Sequence, residues 1–111
     1  MEAIKFLQDK KAEFAANQFD RKEAIKFVKF LYKLGASKIE ILNNPQYEDI
    51  DDDEIYADSM LITLPKSLSK RLDIVLAIWA QTPSEVSDGE RIQSCYDMNW
   101  RSGKKVLLWW D

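Results

Sequence analysis

Histidine does not occur in this chain. Its absence removes the commonest general acid/base, the commonest metal ligand and every Ser-His or Cys-His nucleophile pair. Chemistry would fall to carboxylates, lysines, tyrosines or the single thiol, Cys95. A thiol attacks only when something lowers its pKa. Strand parity around Cys95 puts Asp97 beside it, and a carboxylate neighbour raises a thiol pKa. Cys95 is therefore expected to be inert. Asp58 with Asp97 is a conceivable acid/base pair, but no spacing signature marks it. With three glycines in the chain there is no glycine-rich phosphate loop.

The densest charge is the run Glu48, Asp49, Asp51, Asp52, Asp53 and Glu54, with Asp58 close behind. An EF-hand loop needs glycine at its sixth position and glutamate at its twelfth. Counted from Asp49, those positions hold Glu54 and Met60, so this is not an EF-hand and no metal is expected. A block of like charges is by default a solvated loop. Its other use is to steer a basic partner and pair with it at the rim of an interface. These six acids are taken as candidate partner contacts.

Lys22, Lys26, Lys29 and Lys33 form a second charged set, on one narrow stripe of a helix. They are expected to be a solvent-facing ridge whose stems shield apolar surface. No arginine or aromatic residue is interleaved with them, and the net charge is −3. Proteins that hold phosphate backbones usually carry the opposite balance, so no nucleic-acid partner is expected.

These groups sit on a chain of 111 residues, enough for one domain with a single two-layer core. The apolar share of 46% and charged share of 32% are those of a globular protein. No apolar run approaches a membrane span, the N-terminus lacks a secretory pattern, and a lone cysteine has no internal disulfide partner. The expectation is a reduced cytoplasmic protein with no membrane partner and no cofactor.

The elements that must position the candidates read as follows. Residues 2–16 carry a moderate apolar stripe, Ile4, Leu7 and Phe14, and suggest a first helix. Asp20 with Glu23 three residues on resembles a capping box, with Phe19 and Ala24 as a staple. Gly35 ends that second helix. Its apolar residues cover most of the circumference, so it should be packed on more than one side. Residues 38–43 alternate as a strand, and a second strand runs from 55 or 56 to 64. Ser67 or Ser69 caps a third helix reaching about residue 81. Thr82-Pro83-Ser84-Glu85 looks like a further short helix start. Residues 92–100 and 105–110 read as a closing hairpin. The last strand, Val106-Leu107-Leu108-Trp109-Trp110, is apolar throughout and is expected at the sheet centre.

The predicted fold class is α+β: a two-layer sandwich with a four-stranded antiparallel sheet, helices on one face, in the order ααββαββ, a permuted ferredoxin-like arrangement. The apolar strands 55–64 and 105–110 take the centre and the alternating strands take the edges. A plain meander is the alternative, and it would leave the apolar last strand at an edge. Parity turns Ile39, Ile41, Met60, Ile62, Leu64, Tyr96, Met98, Val106, Leu108 and Trp110 toward the helices. Lys38, Glu40, Leu42, Ala57, Ser59, Leu61, Thr63, Cys95, Asp97, Asn99, Leu107 and Trp109 fall on the other face. Only the first helix or another molecule remains to cover that face. An apolar centre of Leu42, Leu61, Leu107 and Trp109 inside a polar rim is the anatomy of a binding surface.

The functional expectation is a non-catalytic protein-interaction or inhibitor module, of the kind that immunity proteins and antitoxins represent. It would use the acidic loop and the open sheet face to hold a protein partner, a basic one by complement to the loop's charge. The second expectation is a homodimer assembled through the open face, with a structural or regulatory role. The third is a small-ligand binder or a carboxylate-based enzyme.

Overall fold

The strand at residues 38–43 forms as the alternation predicts, and the rest of the sheet is built outward from it. The computed structural model describes residues 1–9, 12–14, 20–43, 55–81, 85–87, 92–93 and 104–110. Its elements run α1 (Ala3–Gln8), β1 (Ala12–Phe14), α2 (Arg21–Leu34), β2 (Lys38–Asn43), β3 (Ile55–Thr63), α3 (Leu68–Gln81), β4 (Glu85–Ser87), β5 (Ile92–Gln93) and β6 (Lys105–Trp109).

Both long helices have legible ends. α2 starts after Asp20, whose carbonyl accepts the Ala24 N–H at 2.8 Å. The Asp20 side chain makes no capping hydrogen bond, so the expected capping box is not formed through it. Phe19, the proposed staple, lies outside the described residues. Gly35 closes the helix in a left-handed conformation, φ 115°. Its N–H reaches Tyr32 O, and Ala36 N–H reaches back to Leu31 O, both at 3.0 Å. That pair of bonds is the Schellman ending. α3 begins just after Ser67, which accepts the Arg71 N–H on its carbonyl at 3.0 Å.

β3 and β6 are the central strands. β3 pairs antiparallel with β2 on one edge and with β6 on the other, over residues 59–63. β6 pairs antiparallel with β4, which pairs antiparallel with β5. The sheet core thus reads β2-β3-β6-β4, with β5 outside β4. The expected face assignment holds for the described helix-facing positions. Ile39, Ile41, Met60, Ile62, Leu64, Val106, Leu108 and Trp110 are all buried, in one core with Phe27, Val28 and Leu31 of α2 and Ile74, Val75 and Ile78 of α3. Tyr96 and Met98 lie outside the described residues.

Four expectations are corrected. First, residues 2–16 are not one helix. α1 stops at Gln8 because Asp9 turns extended, and Ala12–Phe14 becomes β1, buried-exposed-buried along its length. Second, the sheet is mixed rather than antiparallel, because β1 runs parallel to β3. Ala57 pairs with both Phe14 and Asn43, so β1 lies on the β3 edge opposite β2, the edge that β6 also uses. β1 therefore fills the stretch of that edge left open where β6 ends. The Trp110 N–H still bonds Asp58 O at 3.0 Å, and Phe14 meets the Trp110 ring edge-on at 5.4 Å. The Arg21 guanidinium donates to Ala12 O and ties β1 to the start of α2. Third, Glu85–Ser87 is a strand, not a helix start. It takes the place beside β6 that residues 92–100 were expected to fill. Of that predicted strand, 92–93 pair with β4 instead, and 94–100 lie outside the described residues. Fourth, Ala57 is buried, not on the open face. The register slips between Leu42 and Asn43, which leaves Asp58 as the extra residue of a bulge in β3. A bulge of this kind reverses the alternation beyond it. Ala57 consequently joins Phe14, its register partner, in the core.

The outer edge of β2 is closed by the chain itself. Ile41 donates to Met1 O at 2.8 Å and accepts the Met1 nitrogen at 3.2 Å. Ile39 N–H donates to the Tyr32 hydroxyl at 3.1 Å. An edge so occupied cannot template another strand along those residues. α1 packs with Phe6 and Leu7 into the same core as α2, so it covers the helical side and leaves the opposite sheet face alone.

Candidate functional site

The open face is built from three rows of residues running across the strands. Cross-strand partners share a face, so the register places them directly. Leu42 of β2, Ser59 of β3 and Trp109 of β6 form the first row, which continues to the Glu85 position of β4. Glu40, Leu61 and Leu107 form the second, continuing to Ser87. Lys38, Thr63 and Lys105 form the third. Leu42 is 38% exposed. Leu61, Leu107 and Trp109 are half-buried, the state of side chains standing on a sheet with neighbours at their flanks.

All four apolar residues expected to make this patch are therefore brought together, and Leu61 sits directly opposite Leu107. Polarity is graded along the strands. Lys38 and Lys105 are exposed at one end, where Lys38 also pairs with Glu40 at 3.6 Å. Leu42 and Trp109 stand at the other end. Asn43 and Ile55, the described residues that bracket the acidic run, lie at this apolar end. Glu48, Asp49, Asp51, Asp52, Asp53 and Glu54 themselves lie outside the described residues, as do Cys95 and Asp97. Lys105 and the Glu85 and Ser87 positions were missed as parts of the face. Lys105 follows from the parity of Leu107 and Trp109. Val86 between two polar residues signalled a strand, but the Thr-Pro-Ser-Glu helix signature masked it.

Asp58 is the one buried charged residue among those described, 8% exposed. The Ser59 hydroxyl donates to its Oδ1 at 3.2 Å. It sits on the bulge beside the Trp110 backbone, next to Ser59 of the first row. Among the described residues, no three His, Cys, Asp or Glu side chains cluster closely enough to hold a metal ion.

The Glu2 carboxylate joins several elements, at the junction of α1, α2 and β2. It accepts the Ile4 and Lys5 N–H groups, each at 3.0 Å, and so caps α1. It also accepts the Tyr32 hydroxyl at 3.0 Å. Burial pushes its pKa up, but the two backbone donors, the Tyr32 hydroxyl and the Lys5 charge outweigh burial and hold it below the ordinary value. Burial raises the Tyr32 pKa. The Ile39 N–H opposes that shift, and the hydrogen bond and negative charge of Glu2, with Glu40, reinforce it. This cluster closes the sheet edge and positions the open face without belonging to it.

What the face can do is bury apolar area against a partner and pair charges at its rim. It spans four strands and five residues of β2, roughly 20 by 16 Å or about 300 Å² in plane. Stable protein interfaces bury about 800 Å² on each side, so further contacts must join the sheet face in a tight complex. No family model, curated protein or solved structure matches this chain.

Proposed function

We propose that this protein is a non-catalytic interaction module, of the inhibitor or immunity kind, that holds a basic protein partner on the open face of its sheet. The observation that carries the proposal is the set of cross-strand rows joining Leu42, Leu61, Leu107 and Trp109 on the side turned away from every described helix. The acidic run supplies steering and rim charge, and its attachment at the Leu42 and Trp109 end supports its joining the same contact. A lone cysteine with no internal disulfide partner fits a cytoplasmic setting. The order β2-β3-β6-β4, antiparallel at each step, supports reading the sheet core as a permuted ferredoxin-like one.

The test begins with capture of the partner from the native host and measurement of its association kinetics. Changing Asp51, Asp52 and Asp53 together to Asn slows association about tenfold at low salt and leaves dissociation nearly unchanged. Unchanged association at low ionic strength contradicts the steering role. Leu107→Lys raises the dissociation rate, because a charge then stands in the apolar centre.

A homodimer through the same face is the second reading. Lys38, Glu40 and Lys105 give the rim both signs of charge, which suits a two-fold contact with a second copy. Light scattering that shows a monomer at high micromolar concentration removes it.

A further inference from the structure

We infer that the groove between α2 and α3 is a second docking site, for an acidic amphipathic helix of a partner protein. This goes beyond the role given to the sheet face and uses the opposite side of the molecule. The two helices run antiparallel. Gly35 after α2 lies against Lys70 at the start of α3, and Glu23 and Lys26 at the other end of α2 line a groove with Ala80 and Gln81. The groove holds about 430 Å³.

Besides Glu23, Lys26 and Gln81, its lining is apolar and of two kinds. The floor and one wall are aromatic, from Phe27 and Phe30, and Phe30 is 49% exposed in spite of its size. The other wall is Ala77 and Ala80, small residues that let a further backbone approach closely. Leu76, also 49% exposed, extends the apolar surface along α3. Above the aromatic wall stands the ridge Lys22, Lys26, Lys29 and Lys33, exposed along its whole length. None of these four lysines is in an ion pair among the described residues.

Four exposed lysines against the single Glu23 leave this side of α2 positive among the described residues, on a chain whose net charge is negative. A helix seated in the groove would lay apolar side chains on Phe30 and the alanines and turn carboxylates toward the lysines. A flat lipid surface would meet the lysines and the outer part of Phe30 but could not reach Phe27 and the alanine wall within the groove.

The test is fluorescence anisotropy on the full chain. The probe is a labelled peptide matched to the 14 residues of α2, with leucine at i, i+3, i+4 and i+7 and glutamate on the remaining face. A scrambled peptide of the same composition is the control. The patterned peptide is expected to bind saturably, and about tenfold more weakly to Phe30→Ser and to Lys26→Glu/Lys29→Glu. All three substituted positions are exposed, and circular dichroism checks that the variants fold. Leu107→Lys on the sheet face leaves this binding unchanged, which separates the groove from the proposed function. Absent binding, equal binding of the scramble, or equal binding by the variants overturns the inference. So does binding to phosphatidylserine vesicles that the peptide fails to displace.

Discussion

Glu2 and Tyr32 do more for this fold than their positions in the chain suggest. One carboxylate caps α1 and accepts the Tyr32 hydroxyl, while that hydroxyl accepts the Ile39 N–H. Tyr32→Phe leaves the Ile39 N–H and one Glu2 lone pair without this partner. It is expected to cost about 1–2 kcal/mol in urea unfolding. The pH dependence follows from the directions of the two shifts. Glu2 is held below its ordinary value of 4.5, so its stabilisation is complete above that value and is lost as pH falls through the lower folded value. Tyr32 is raised above 10.0, so its contribution is complete below 10.0 and is lost as pH rises through the folded value. Glu2→Gln should flatten the acid limb of a stability–pH profile and leave the neutral region with the same slope. An unchanged acid limb contradicts the cap. No spacing marks this pair: Glu2 and Tyr32 are 30 residues apart and are brought together only by tertiary packing.

At the scale of elements, the alternation of β2, β3 and β6 was legible because one face of each strand is buried. Burial along β6 shows the consequence: Trp110 is in the core and Trp109 is half-buried on the other side. Trp110→Ala is expected to cost about 3–5 kcal/mol, since it removes the ring that meets Phe14. Trp109→Ala should cost roughly a third of that. Equal losses would contradict the face assignment. Gly35→Ala tests the end of α2. A side chain there must adopt φ 115°, and its Cβ would stand 2.9 Å from Lys70 Cδ. The lysine end can swing aside, so backbone strain dominates, at about 1–2 kcal/mol. The elements missed were short. Ala12–Phe14 and Glu85–Ser87 have three residues each, too few for periodicity to announce. They are strands because β3 and β6 offer them free edges. The bulge at Asp58 was hidden for a related reason. A one-residue slip is a property of two paired strands, and it moved Ala57 to the core.

At the scale of the molecule, helices lie on one side of a mixed sheet and a graded, partly apolar face lies on the other. That asymmetry was readable in outline, because the parity of Leu61, Leu107 and Trp109 follows from their neighbours. It also sets two surfaces of different character back to back: an apolar sheet face whose Leu42 end adjoins Asn43, and a lysine-topped groove between helices. The most direct measurement is hydroxyl-radical footprinting of the chain alone and in complex with the partner captured from its host. Protection of Leu61, Leu107 and Trp109 on complex formation, with Phe30 and Leu76 still reactive, is the expected result. Unchanged reactivity at Leu107 and Trp109 in a stoichiometric complex would show that the partner docks elsewhere and would contradict the assignment of the open sheet face.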